Sequence, residues 1–216
     1  MIPKIIHQIW IGDQSKRPTK LMQTWIDHHP DWKYFLWTEK EIEFLGLLNK
    51  RQFDLHPTLA GKADIARYEI LYRHGGFFID ADSICINPMD QLLSREFVCC
   101  YESEKHRGNL VANGYIGCPK GHKSMSDLIK IISKLSNLNL LDVGAWKTLG
   151  PIPFTYVVHK NNLEVMTSSS FLPIHYEDTS YKKVKMSKLS TLELQKLSSD
   201  FPDSFSYQFW GSKSEY

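Results

Sequence analysis

One stretch constrains the fold more than any other: Gly61 to Asp82, reading GKADIARYEILYRHGGFFIDAD. Its first part has helical spacing, with Pro57 suited to the first turn and Gly75–Gly76 to the stop after His74. The following FFID has no polar alternation, so it predicts a strand buried on both faces, as in a parallel sheet covered by helices. On a helical wheel Glu69 and Arg73 share what should be the solvated face. Ala63, Ala66, Tyr68, Ile70 and Leu71 fill most of the opposite arc. Asp64 and Arg67 fall inside that apolar arc. Charges there are costly unless paired or open to a cleft. An i,i+3 ion pair that merely orders the fold is one reading; residues facing a ligand are the other.

The strand ends in Asp80-Ala81-Asp82. Alternate residues of an extended chain share a face, so both carboxylates can look into one crevice. In open α/β sheets that crevice, at the carboxyl ends of the strands, is where ligands bind. Two close carboxylates repel unless a proton or a cation intervenes. A divalent metal with oxygen ligands answers this, and Mg²⁺ usually also takes substrate phosphates. The plainer reading is a capped turn in which Asp82 bonds local amides.

Elsewhere, KIIHQIWIG and WKYFLW predict strands, with a helix between them from Thr19 to His28. Thr38 and Glu41 form a capping box for a helix expected to end at Asn49 or Lys50. SICINP, EFVCCY, VANGYIGC, LEVMT and SFLPIHY predict further strands. Helices are expected over His122–Leu135, within VGAWKTLGP, over Pro153–Lys160 and over Ser190–Leu197. Strands alternating with helices early, then more strands, predict an α/β sandwich with a mainly parallel sheet. The chain of 216 residues is read as one domain, with residues 1–155 as its core and 156–216 as an acceptor-side, closing portion.

Composition narrows the function. With 23% charged residues and a formal charge of +2, the chain gives no argument for a nucleic-acid partner. Lys182, Lys183, Lys185 and Lys188 form a basic cluster, read as a solvated face or as a contact with an anionic membrane or polyanionic substrate. Cys85, Cys99, Cys100 and Cys118 include no C-x-x-C pair, which suggests buried thiols in a reducing compartment rather than a zinc site. The N-terminus lacks the pattern of a signal peptide, and no run of about 18 apolar residues exists to span a membrane. A cytoplasmic location is the resulting expectation. The sequence fixes no oligomeric state.

The order IPKIIHQIWIG, KADIARYEILYRHGGFFIDAD, NGYIGCPKGH and LGPIPFT resembles the DXD sugar-transferase family, which includes the yeast Golgi mannosyltransferase that initiates outer-chain N-glycans. It is more distantly similar to the clostridial glucosylating toxins. The resemblance runs from Ile2 to about Thr155. It implies a GT-A-type, Rossmann-like α/β/α sandwich that moves a hexose from a UDP- or GDP-sugar to a carbohydrate or other acceptor, with Mn²⁺ or Mg²⁺ and with retention of configuration. It also implies residue roles. Trp10, with Ile9 beside it, would lie at the nucleobase, and Asp64 and Arg67 at the donor sugar's hydroxyls. Asp80 would hold the ribose or sugar, Asp82 the metal, and Asn113 the sugar or acceptor side.

The tail departs from the family. Relatives carry a metal-binding His in a segment rich in Trp and Ser; here SYQFWGSKS places Gln208 or Phe209 there, with Trp210 and Ser212 as plausible matches. Gln208 could offer an amide oxygen, water could take the position, or metal dependence could be weakened. The tail is expected to fold back over the diphosphate. Among the histidines, His7 is read as a satisfied core residue, His28, His29 and His56 as surface or capping groups, and His175 as a substitute ligand to watch. Trp25, Trp32 and Trp37 are read as packing. Two other classes compete with the transferase. One is a haloacid-dehalogenase-type phosphohydrolase with Asp80 as nucleophile and Asp82 as acid/base, against which stand Ile84 and the idle Asp64–Arg67 pair. The other is a non-catalytic carbohydrate-binding relative.

Overall fold

The structure is a computed structural model and describes residues 1–136, 144–181, 186 and 189–211. Its strands are β1 (Ile5–Ile9), β2 (Lys33–Trp37), β3 (Gly76–Ile79), β4 (Ser83–Cys85), β5 (Tyr115–Cys118) and β6 (Ser206–Gln208). The helices are α1 (Thr19–His28), α2 (Glu39–Leu45), α3 (Lys50–Leu55), α4 (Leu59–His74), α5 (Glu104–Arg107), α6 (Lys123–Ser133), α7 (Ala145–Thr148), α8 (Pro151–Lys160) and α9 (Thr191–Asp200). The main sheet has the order β2-β1-β3-β5. β1 runs parallel to β2 and β3, and β5 is antiparallel to β3. A second, two-stranded sheet pairs β4 with β6.

β3 shows why its sequence has no polar alternation. Phe78 packs into a cluster built with α4, α6 and α8, whereas Phe77 and Ile79 pack on the other face with Trp25, Trp32 and Tyr115. Both faces of the strand are thus covered. Thr58 caps α4 by accepting from the Gly61 N–H. Pro57 therefore precedes the cap instead of filling the first turn. Gly75 ends the helix at φ +66°, and a Cβ there would sit 2.5 Å from the Lys120 nitrogen. Only glycine fits this reversal into β3.

Several expectations need correction. Glu69 is not on a solvated face: it is fully buried and accepts the Leu48 and Asn49 N–H groups at 2.6 and 2.8 Å. α4 is enclosed nearly all round, so one wheel face could not stay polar. α2 ends at Leu45, because Gly46 takes a left-handed conformation there. The short α3 follows. EFVCCY and LEVMT form isolated bridges (Val98 with Gly117, Cys100 with Met166), not strands. SFLPIHY is no strand either: Ser168–Ser170 is a 3₁₀ turn, and Pro173 lacks the N–H a ladder needs.

His29 and His56 are buried, and both are capping residues, at the C-terminal ends of α1 and α3. His29 is fixed between the Trp25 carbonyl and the Met89 N–H. His7 is a satisfied core histidine. Its Nε2 lies 2.9 Å from the Gly75 carbonyl, Trp37 Nε1 donates to its Nδ1, and burial lowers its pKa to about 4. Trp25, Trp32 and Trp37 are core residues, and all four cysteines are buried and unpaired. No helix among the described residues is long and apolar enough to cross a membrane. The lysine cluster at 182, 183, 185 and 188, and Ser212, lie outside the described residues.

Candidate active site

Beyond the carboxyl ends of β1 and β3 lies a cleft of about 600 Å³. Ile9, Trp10, Asp64, Arg67, Asp80, Asp82, Asn113, Gln208 and Trp210 all line it, whereas His175 and Phe209 do not. A hollow of about 580 Å³ between β2 and α2, walled by Phe35, Trp37 and Phe44, contains none of them.

The centre of the cleft is Arg67. α4 directs it across the apolar Phe78 ring, 4.4 Å from the ring centroid. Its guanidinium lies 3.1 Å from Asp64 Oδ1 and 3.4 Å from Asp80 Oδ1, and donates to the Asn113 carbonyl at 2.6 Å. Its Nε is buried without a hydrogen-bond partner. The i,i+3 pair thus exists, but the cation also reaches from α4 to the end of β3. Asn113 closes the ring by donating its amide to Asp64 Oδ1 at 2.8 Å. Burial raises the Asp64 pKa to about 6 against the opposing pull of Arg67 and Asn113. For Arg67 burial works against the charge, yet Asp64 and Asp80 outweigh it and hold the guanidinium charged.

Asp80 is held in place by backbone and by the absence of a side chain. Its N–H donates to the Gly114 carbonyl at 2.9 Å, and its own carbonyl accepts from Ser83 Oγ. A Cβ on Gly114 would lie 2.3 Å from Asp80 Oδ2, so that position tolerates only glycine while Asp80 keeps this rotamer. Its side chain remains 31% exposed, toward the cleft.

Asp82 is surrounded differently. The tail folds back as expected: β6 pairs with β4, placing Gln208 opposite Ser83. Gln208 Nε2 donates to Asp82 Oδ1 at 2.7 Å, and the Gly211 N–H donates to Oδ2. Burial, then the Asp80 charge, raises the Asp82 pKa to about 6 despite these donors. Gln208 departs from the expected metal-ligand role. Its oxygen accepts the Tyr115 hydroxyl at 2.5 Å, so it turns an amide nitrogen, not an oxygen, toward Asp82.

Trp210 sits at φ +52°, a strained backbone for a bulky side chain. Its ring is pinned by a bond from Nε1 to the Ile174 carbonyl and by edge contacts with His175 and Tyr176. This conformation aims the next N–H, that of Gly211, at Asp82. His175 supports Trp210 and does not substitute as a ligand beside Asp82. Its Nε2 lies 3.3 Å from Glu102, and its Nδ1 accepts the Glu177 N–H. Trp10 stands where β1 leaves the sheet and donates its Nε1 to the Asp13 carbonyl.

The two carboxylates suit a divalent cation by their chemistry. Both are hard oxygen donors at the cleft wall, and Asp82 has lone pairs left beyond the two N–H groups it accepts. Its raised pKa marks negative charge short of compensation. Sequence reading missed Tyr115, which orients Gln208 beside Asp82, and Gly114, which makes room for Asp80. The only signal for the glycine was its adjacency to Asn113, and a strand tyrosine pointing inward carries none.

Residues 15–98, which contain Asp64, Arg67, Asp80 and Asp82, match the family described as glycosyltransferase sugar-binding region containing DXD motif. The chain is 31% identical over 140 residues to inositol phosphoceramide mannosyltransferase 3 of Schizosaccharomyces pombe, covering 62% of this chain and 38% of the relative. It is 32% identical over 121 residues to the initiation-specific alpha-1,6-mannosyltransferase of Candida albicans, covering 50% of this chain and 31% of that protein. The chain therefore spans well under half the length of these two relatives. The solved PaToxG glycosyltransferase superposes with a TM-score of 0.58 at 20% identity, covering 74% of this chain and 70% of that one. The fold is accordingly of the GT-A glycosyltransferase class. In sequence and in fold the chain is thus similar to the DXD-motif glycosyltransferases.

Proposed function

We propose that this chain transfers a hexose from a nucleotide-diphosphate sugar to an acceptor hydroxyl, with retention of configuration and with Mn²⁺ or Mg²⁺ held by Asp80 and Asp82. The observation that carries this reading is the convergence of Asp64, Arg67, Asp80, Asp82 and Asn113 on one cleft at the strand ends. A bound cation would supply positive charge to the diphosphate leaving group. Arg67 sits between Asp64 and Asp80 and orients both, so both can accept sugar or ribose hydroxyls. Asn113, fixed by Asp64, offers its remaining amide capacity to the donor sugar or the acceptor. Trp10 supplies an aromatic face for the base. Trp210 and Gly211 close the wall beside Asp82 and limit water, which favours transfer over hydrolysis. Residues 1–155 form the donor core in this reading, and 156–216 the acceptor side and closing tail.

Both relatives are named as mannosyltransferases, and one names a phosphoinositol lipid. Mannose is therefore the hexose to test first, and a lipid-held acceptor is as consistent with this reading as a free glycan. A cytoplasmic setting draws its support from the four unpaired thiols. A phosphohydrolase leaves the Asp64–Arg67–Asn113 ring without a task, and the GT-A fold opposes it.

The test is a thermal-shift series with GDP, UDP, GDP-mannose and UDP-glucose, with and without Mn²⁺, followed by release of free nucleotide diphosphate. Stabilisation by one sugar nucleotide only in the presence of metal, with slow donor hydrolysis, is expected. Indifference to every nucleotide would overturn the reading. Binding without turnover would leave the non-catalytic carbohydrate-binding relative as the better description.

A further inference from the structure

α8 has two apolar faces, and the described structure covers only one. Phe154, Val157 and Val158 join the core, while Ile152 and Tyr156, one turn apart, stand 40% and 59% exposed. Trp146 of α7, 52% exposed, lies just before this helix, its backbone packed against Gly150. The stretch 144–160 contains no acidic residue. Its two lysines sit at the rings: Lys147 Nζ lies 5.4 Å from the Trp146 ring centroid and Lys160 Nζ 5.8 Å from that of Tyr156.

This face borders the active site. Trp146 and Pro151 line the main cleft and also a neighbouring cavity of about 420 Å³, whose wall includes Glu102, Arg107, Tyr176 and Trp210; Arg107 there is ion-paired with Glu102 at 3.4 Å and Glu177 at 2.7 Å. An exposed Trp, Tyr and Ile flanked by lysines and free of acids matches the interfacial region of an anionic bilayer, where aromatic rings settle at headgroup level and lysines meet lipid phosphates. A second copy of the chain fits less well. A two-fold contact brings a patch onto itself, and here like-charged lysines would meet.

We propose that the α7–α8 face seats the protein on an anionic lipid surface, so that a lipid headgroup enters the cavity beside Trp146 and reaches the cleft from the bilayer side. That the headgroup is the sugar acceptor rests on the transferase reading; that the face binds lipid does not.

The experiment is vesicle flotation without nucleotide, comparing phosphatidylcholine vesicles with vesicles that also contain phosphatidylserine. Binding only to the anionic vesicles, weakened by salt, is expected. Ile152→Ser with Tyr156→Ser should reduce it about ten-fold, and Lys147→Glu with Lys160→Glu at least as much, about five-fold for each lysine removed. Circular dichroism and lipid-free donor hydrolysis of the Ile152/Tyr156 variant should match the parent chain. Quenching of tryptophan fluorescence by brominated lipid should largely disappear in Trp146→Phe. Equal binding to neutral vesicles would overturn the proposal. So would binding unchanged in both double variants but lost on charge reversal of Lys182, Lys183, Lys185 and Lys188. A dimer in light scattering that Tyr156→Ser dissolves would reassign the face to self-association. Donor hydrolysis without lipid binding would sink the surface and spare the transferase; lipid binding without hydrolysis would do the reverse.

Discussion

Asp80 and Asp82 stand two positions apart on the chain, yet the molecule holds them by opposite means. Asp80 belongs to a charged cluster supplied by the preceding helix, with Arg67 at 3.4 Å and Asp64 on the guanidinium's other side. Among the described residues no cation lies against Asp82 in hydrogen-bond range; it accepts an amide from Gln208 and a backbone N–H from Gly211. The first carboxylate is compensated by charge from within the same helix–strand unit. The second is solvated by neutral dipoles that arrive from the far end of the sequence. The contrast makes Asp80 the orienting, structural member of the pair and Asp82 the member still short of positive charge.

The largest effect should come from Arg67. Arg67→Met leaves Asp64 and Asp80 without their cation in a side-chain environment that is 7% exposed at Arg67, and should cost on the order of 3–5 kcal/mol in urea unfolding. Adding Asp64→Asn should recover part of that loss. A single variant as stable as the parent would refute the charged-cluster description of Asp80.

Asp82→Asn should spare the fold and remove metal-dependent donor turnover by about a thousand-fold, the scale of several kcal/mol of lost charge stabilisation. Because it removes a buried charge that the structure leaves poorly compensated, unfolding free energy should stay within about 1 kcal/mol of the parent. Normal Mn²⁺-dependent turnover in this variant would break the comparison from the other side.

Asp64 gives the two halves a pH signature. Its pKa is raised from 3.8 to about 6, so the folded chain binds a proton there more tightly than the unfolded chain does. Stability contributed through this group is therefore greatest below about pH 4 and declines as pH rises to about 6, by on the order of 2 kcal/mol. The unfolding free energy of the parent should fall relative to Asp64→Asn across that window. Parallel profiles would show Arg67 compensating Asp64 fully.

The smallest effect is expected at Gln208. Gln208→His keeps an N–H for Asp82 and offers imidazole to a metal, so Mn²⁺ affinity should rise by no more than about ten-fold, read by titration of the metal against GDP-mannose binding. An unchanged affinity would show that this side chain stays out of the coordination sphere. Truncation after Asp203 is a blunter probe, because Phe205, Tyr207 and Phe209 are all buried and their loss would open two core clusters.

How much of this the sequence disclosed follows the same divide. The Asp64–Arg67–Asp80 cluster was legible because it lies within one helix–strand unit, where wheel position and strand end are local properties. The capping box at Thr38 and the end of α1 at His28 were legible for the same reason. Tail residues 205–211 could be expected to return, but not how. Whether Gln208 presents its oxygen or its nitrogen depends on Tyr115, which lies 93 positions away. Glu69 misled the wheel because its partners, the Leu48 and Asn49 amides, belong to a loop that helical periodicity cannot see. The missing strands at 96–101 and 170–176 were apolar enough to be buried, and burial with at most isolated bridges has the same sequence signature as a strand.

The β4–β6 ladder is three residues long and joins segments more than a hundred positions apart, with 126 positions between Asp82 and Gln208. Contacts of such separation carry the heaviest loop-closure entropy and tend to form late in folding. A ladder that short has few backbone hydrogen bonds to lose, so it should open more readily than the main sheet. The cleft thus acquires its last wall after its charged centre is already in place. In kinetic terms the wall beside Asp82 is a latch on a finished frame, and its amides should exchange hydrogen for deuterium long before those of β1 and β3.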